Sequence, residues 1–209
     1  AMRMHDGLMF KQEYPEDSIE CFLALGDTAF SMQDILWYLA QCQDPRWRER
    51  DGRVRIWRKP IPDGIYVLSA DPGTGQVQGG SYSSAVLRNH KDGLHDLSIK
   101  CRVPGYEFGK WLAAHGANYN NALIAVERTG GYAQAVLRAL RDLNYPNIYR
   151  GKTTSHPNSI RQYGWNTNNA NRDDMLKKFA EGMATHELQS KDAELFNEAL
   201  RSEEHTSEL

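Results

Sequence analysis

The 209-residue chain has too few cysteines to be held together by them. Cys21, Cys42 and Cys101 are scattered and form no CxxC pair, which excludes a disulfide framework and a structural zinc site and suits a reducing compartment. Its seven histidines are equally dispersed, so a His-rich metal site has no support. No apolar run is long enough to span a membrane, and the opening stretch "AMRMHDGLMF" lacks the apolar region of a secretory leader. Charge of one sign is also missing. With 25 Lys and Arg against 27 Asp and Glu the formal net charge is −2, so any nucleic-acid partner must be met by a local basic patch. A Walker A loop is absent; "GYEFGKW" has one spacer too few and places Trp111 where Ser or Thr should hold a metal.

What is present is an ordinary globular composition, 40% hydrophobic and 25% charged, long enough for one good core with an appendage. Ser31 caps an expected helix to Gln41, with Ile35, Leu36 and Leu39 at helical spacing. The charged segment "QDPRWRERDGRVRIWRKPIPDG" then reads as a connection without a core of its own. From Gly64 onward the pattern sharpens. "IYVLSA" and "YSSAVLRN" read as strands, with "NHKDG" turning into a third, "HDLSIKCRV", whose Leu97, Ile99, Cys101 and Val103 alternate as in a half-buried strand. A helix follows between Pro104 and Gly116. "NALIAVE" is continuously apolar and predicts a strand covered on both faces. The next helix places Val136, Leu137, Leu140 and Leu143 on one face before Pro146, "NIYR" supplies a fifth strand, and a last helix turns Met175, Leu176, Phe179 and Met183 inward.

Three hairpin-linked strands followed by crossover units predict a mixed α/β sheet flanked by helices, the ribonuclease H-like order. Nucleases, transposases and actin/Hsp70-type ATPases share that order, so function has to come from particular residues. Two carboxylates end strands: Asp71 after "IYVLSA" and Glu127 after "ALIAV". In this order the first and fourth strands are parallel neighbours, so both acids emerge at one sheet edge. Paired carboxylates repel, and one takes up a proton unless a cation lies between them. Oxygen ligands of this kind suit Mg²⁺ or Mn²⁺, and two such ions roughly 3.5–4 Å apart can activate a water and stabilise the leaving oxygen of a phosphodiester. A purely structural role competes for each acid, with Asp71 capping the next turn and Glu127 pairing with Arg128 or another cation. "DPGTG" offers a further alternative, a phosphate-binding turn like that of Hsp70-type ATPases.

"YVLSADPGTG…YSSAVL", "YNNALIAVERTGGYAQAVLRALRDLNYPNIY" and "YGWNTNNANRDDMLKKFAEGM" together resemble the nuclease domain of phage terminase large subunits. "KQEYPEDSIECFLALGDTAF" resembles the segment that joins that family's ATPase domain to its nuclease, so the likeness runs over residues 8 to 200. It implies a tail of an ATPase domain or linker over residues 1–60 and a nuclease domain over 61–200. It further implies metal-dependent cleavage of concatemeric double-stranded DNA, with Asp71 and Glu127 as catalytic and metal-binding acids. ATP would belong to a preceding domain. The implied partners are the portal protein and the small terminase subunit, with no membrane, in the host cytoplasm.

Arg128 and Arg172 are candidate DNA contacts, and "RWRERDGRVRIWRK" could line a DNA path, although a solvated face or linker is the commoner explanation of such charge. Ser81 stands where the family often has Asp. The family's third acid, in a His-Asp-Asp-like motif, has no counterpart here and is expected beyond residue 200; Glu198 is a possible supporting acid. Residues 201–209, "RSEEHTSEL", match the translation of AGA TCG GAA GAG CAC ACG TCT GAA CTC, a common sequencing adapter, and are expected to be non-native. Without the third acid, the fragment could be a non-catalytic DNA- or portal-binding domain.

Overall fold

The structure, a computed structural model, describes residues 30–75, 79–128, 131–152 and 161–204. They fall into two compact units, one formed by the described residues of 43–175 with 189–192, the other by residues 30–42, 176–188 and 193–204. The larger unit is built on a six-stranded sheet. Its strands are β1 (Trp47–Glu49), β2 (Val54–Ile56), β3 (Tyr66–Asp71), β4 (Ser83–Asn89), β5 (His95–Cys101) and β6 (Leu123–Val126). They lie in the order β1-β2-β5-β4-β3-β6, all antiparallel except β3 and β6, which are parallel. That is the mixed, ribonuclease H-like sheet expected from the element order.

The first two strands arise where a connecting segment was expected. Val54 and Ile56 are buried on either side of Arg55, and this short alternation pairs with β5 and extends the sheet. The sheet therefore begins before residue 60, ahead of the expected domain start.

One face of the sheet carries the core. Leu68, Leu87, Ile99, Ile124 and Val126 pack with Phe108 and Leu112 of α2 (Gly105–Asn118) and with Val136 and Leu140 of α3 (Ala133–Asp142). Each such side chain contributes about 1.5–3 kcal/mol by leaving water. Gly109 lets the two helices touch, because a Cβ there would lie 2.7 Å from the Ala139 Cβ and 2.8 Å from the Val136 carbonyl. Leu143 departs from the expected inward face and is exposed: α3 ends at Asp142, and Asn144 turns the chain away at φ 51°.

β5 was expected to be half-buried but is covered on both sides. On its polar side Ser98 donates to Asp192 at 2.6 Å, and Arg55 pairs with the same carboxylate at 2.9 Å. His95 bridges Ser190 and Ser98, each at 2.7 Å. Because the Ser98 proton goes to Asp192, Ser98 accepts from His95 Nε2, leaving Nδ1 to accept from Ser190. Asp96, also buried, is gripped by the Arg58 guanidinium at 2.8 Å. Conversely β6, expected to be covered on both faces, alternates: Ile124 and Val126 are buried, whereas Leu123 and Ala125 are only partly so. Within "NIYR", Ile148 bridges Ile124 and Arg150 bridges Gly164, and Arg150 opens the strand proper, β7 (Arg150–Lys152), paired with β8 (Arg161–Tyr163) in a separate two-stranded sheet.

The smaller unit contains α1 (Met32–Gln41), capped by Ser31 as expected, the greater part of α4 (Asn169–Ala184), and α5 (Ala193–Glu204). Ile35, Tyr38, Met183 and Phe196 form its core, with the Tyr38 and Phe196 rings stacked at 4.6 Å. Of the residues expected inward on α4, Met183 is buried and Phe179 packs against this core; Met175 and Leu176 are exposed, because the helix buries apolar side chains only toward its C-terminal half. The expected non-native tail continues α5 through Glu204, and residues 205–209 lie outside the described residues.

Burial, and next the Arg88 charge, push the His95 imidazole down to about 4. Its folded value lies below the ordinary 6.5, so the unfolded chain binds a proton between those values and the folded chain does not. Stability should therefore fall as pH drops from 6.5 toward 4, by about 3 kcal/mol from this group. NMR titration should show His95 still neutral at pH 6; a midpoint at or above 6.5 would contradict the network.

Candidate metal centre

Parallel pairing of β3 with β6 decides where the two strand-ending acids lie. Ala70 is in register with Val126, and the Glu127 amide donates to the Ala70 carbonyl at 2.8 Å, so Asp71 and Glu127 follow side by side. On its other flank β6 is extended by the segment around Trp165. The Trp165 amide donates to the Val126 carbonyl at 2.7 Å and the Arg128 amide to the Trp165 carbonyl at 2.8 Å, which pins the backbone on both sides of Glu127.

Both carboxylates line a cavity of about 430 Å³ on the sheet face opposite α2 and α3. Its floor is made of mostly small side chains: Ala125 from β6, Ser69 and Ala70 from β3, Ser84 and Val86 from β4. Tyr149, Trp165, Thr167 and Met175 form its wall. Thr167 is positioned by the start of α4, where Asn168 and Asn171 exchange side-chain-to-amide hydrogen bonds at 2.8 and 3.0 Å, a reciprocal cap.

Asp71 stands at the exposed end of β3, yet it makes no hydrogen bond or ion pair among the described residues. Desolvation by the cavity wall, and then the Glu127 charge, push its carboxyl above the usual range. A carboxylate held near another carboxylate, without a partner of its own among the described residues, is an arrangement that a hard cation can stabilise. Mg²⁺ commonly binds through one or two carboxylates and keeps water or substrate phosphate in its remaining positions, so this donor set fits it. Among the described residues no group of three or more His, Cys, Asp or Glu side chains is arranged to hold a metal.

The capping role fares less well for Asp71. Asp71 does not cap the turn after it, because the Gly73 amide donates to Ser83 Oγ and the Thr74 amide to Ser81 Oγ, both at 3.0 Å. Ser81 returns the bond, its amide donating to Thr74 Oγ1 at 2.8 Å. Those amides are the groups a phosphate-binding turn would need, and here serines occupy them. The Arg128 guanidinium turns to Gln162. Its Nε is buried without a hydrogen-bond partner among the described residues.

The other candidates lie outside the cavity lining. Arg172 is exposed in the first turn of α4, and Glu198 is exposed on α5 in the helical unit. Trp111 is core, and Trp165 belongs to the cavity wall. Tyr149, Met175 and Ser84 were not expected at the site from sequence; the Ser84–Val86 alternation on β4 was the available signal for a side of the sheet without bulky cover.

No family model and no curated protein matches the sequence. Solved structures do. The large terminase nuclease of thermophilic phage G20c with bound magnesium matches with a TM-score of 0.56 at 18% identity, covering 83% of this chain and 79% of that one. The cobalt-bound form of the same nuclease gives 0.55 at 15% identity over 83% and 79%. The large terminase nuclease domain of Thermus phage P74-26 gives 0.54 at 17% identity over 83% and 77%. At these identities the likeness establishes that the chain has the fold of the large terminase nucleases.

The loop after Asp71 provides a structural test. A Cβ on Gly73 would sit 2.3 Å from the Tyr82 carbonyl oxygen. Gly73→Ala should therefore cost about 1–3 kcal/mol, as overpacking does, and lower the melting temperature by several degrees. An unchanged melting temperature would mean that the loop does not lie against Tyr82.

Proposed function

We propose that this chain is the nuclease domain of a viral terminase large subunit and hydrolyses phosphodiester bonds of double-stranded DNA using divalent cations held by Asp71 and Glu127. The observation that carries the reading is the convergence of the two acids at the ends of parallel neighbouring strands, on one cavity, with Asp71 lacking any partner among the described residues. The similarity in fold to nucleases solved with bound magnesium and cobalt supports it.

In this reading Asp71 and Glu127 anchor the cations, Mg²⁺ or Mn²⁺, through carboxylate oxygens. When bound, a pair of such ions supplies an activated water and stabilises the leaving oxygen. The small floor residues Ser69, Ser84 and Ala125 leave room for a phosphate above the acids, and Trp165 and Tyr149 limit access from one side. Arg128 and Arg172 are proposed DNA contacts. Concatemer cutting during genome packaging, with an ATPase domain, portal protein and small subunit as further components in the host cytoplasm, follows from the same reading. Among the described residues no helix is long and apolar enough to cross a membrane.

A second reading keeps DNA or portal binding without cleavage, and the absence of a third acid among the described residues favours it. Plasmid incubated with Mn²⁺ separates the two. The wild-type chain should nick it, and Asp71→Asn or Glu127→Gln should reduce the rate at least to the roughly 100-fold loss known for groups supporting metal sites. Nicking that survives both substitutions would contradict the metal site; no nicking by the wild-type chain, with DNA binding retained, would establish the binding-only reading.

A further inference from the structure

The row of side chains that contains the two acids continues across the sheet and changes sign. Asp71 is in register with Ser84 on β4, and Ser84 with Lys100 on β5, so the three project from one face. Arg53 continues the row, its carbonyl accepting from the Lys100 amide at 2.9 Å. Arg102, two residues beyond Lys100 and on the same side, is exposed. It makes no ion pair among the described residues.

These cations are organised by an aromatic ring. Tyr82 is 47% exposed, and it carries the Arg102 guanidinium 4.1 Å and the Lys100 ammonium 5.2 Å from its ring centre. The ring is also tied to the acid site, because the Tyr82 carbonyl lies against Gly73, two residues after Asp71. Two strand spacings separate Lys100 from Asp71, about 10 Å. At 3.4 Å of duplex rise per nucleotide, that is on the order of three nucleotides along one strand.

We propose that Lys100 and Arg102, mounted on Tyr82, form a phosphate-binding patch that holds the DNA backbone a few nucleotides from the bond to be cut. The proposal rests on the nuclease reading and adds to it a positioning element on β5, on the opposite side of Asp71 from Glu127. The patch contacts backbone and not bases, so it fixes register without sequence preference.

The test is binding of a short fluorescently labelled duplex to the whole chain, in EDTA, across a salt series, beside plasmid nicking in Mn²⁺. Each phosphate contact steepens the dependence of log K on log salt by about 1. Lys100→Ala/Arg102→Ala should therefore make the slope shallower by about 2, whereas Arg102→Lys and Asp71→Asn should keep the wild-type slope; thermal melts check that each variant is folded. An unchanged slope in the folded double variant, or no salt-dependent binding by the wild-type chain, overturns the patch. If Asp71→Asn still abolishes nicking in that case, the nuclease reading stands. Nicking that persists in Asp71→Asn overturns the nuclease reading whatever the slopes show.

Discussion

The parallel pairing of β3 with β6 is the constraint on which the rest depends. It joins two segments more than fifty residues apart in sequence, and its register carries Asp71 and Glu127 to the same sheet edge. Apolar burial keeps that register fixed: Leu68 and Ala70 on one strand and Ile124 and Val126 on the other face the helices. A slip of one residue would turn these into the cavity and the acids into the core. Hydrophobic packing on one face thus holds an electrostatically unfavourable arrangement on the other. The folding energy of the sheet keeps the acids together, and a cation can then lower the energy of the pair.

The two faces of the sheet therefore have different tasks. One is dry and close-packed, with α2 and α3 brought into contact through Gly109. The other is graded. Near β2 and β5 it is covered by the segment 189–192 through the His95, Ser98 and Asp192 network; near β3 and β6 it is open and floored by small residues. This gradation leaves a cavity beside the acids without exposing the centre of the sheet. The serines of β4's entry, Ser81 and Ser83, hold the loop after Asp71 by taking up its amides, which leaves the carboxylate free of its own turn.

The strands β3 to β6 and the meeting of Asp71 and Glu127 at one sheet edge were legible in the sequence, because period-2 alternation and strand-ending carboxylates are local signals; the small β7–β8 sheet was not. β1 and β2 were not, since three-residue strands set among charges carry too little pattern; only pairing with β5 stabilises them. The polar cover of β5 was hidden for a related reason. Asp96 and Ser98 look solvent-facing until Arg58 and Asp192 arrive from distant positions. Met175 followed the helical period of its neighbours but borders the cavity, because periodicity identifies a face and not what that face meets. Nothing in the sequence pattern relates Lys100 and Arg102 to Asp71; only the register across three strands does.

If the carboxylates oppose one another as the strand pairing requires, removing one charge should relieve the folded state and divalent ions should stabilise it. The direct measurement is the melting temperature of the wild-type chain, Asp71→Asn and Glu127→Gln, each with and without Mn²⁺. Without metal, both variants should melt at or above the wild-type temperature, and Mn²⁺ should raise only the wild-type value. Variants that melt lower than wild type, together with a wild-type melt indifferent to Mn²⁺, would contradict the account.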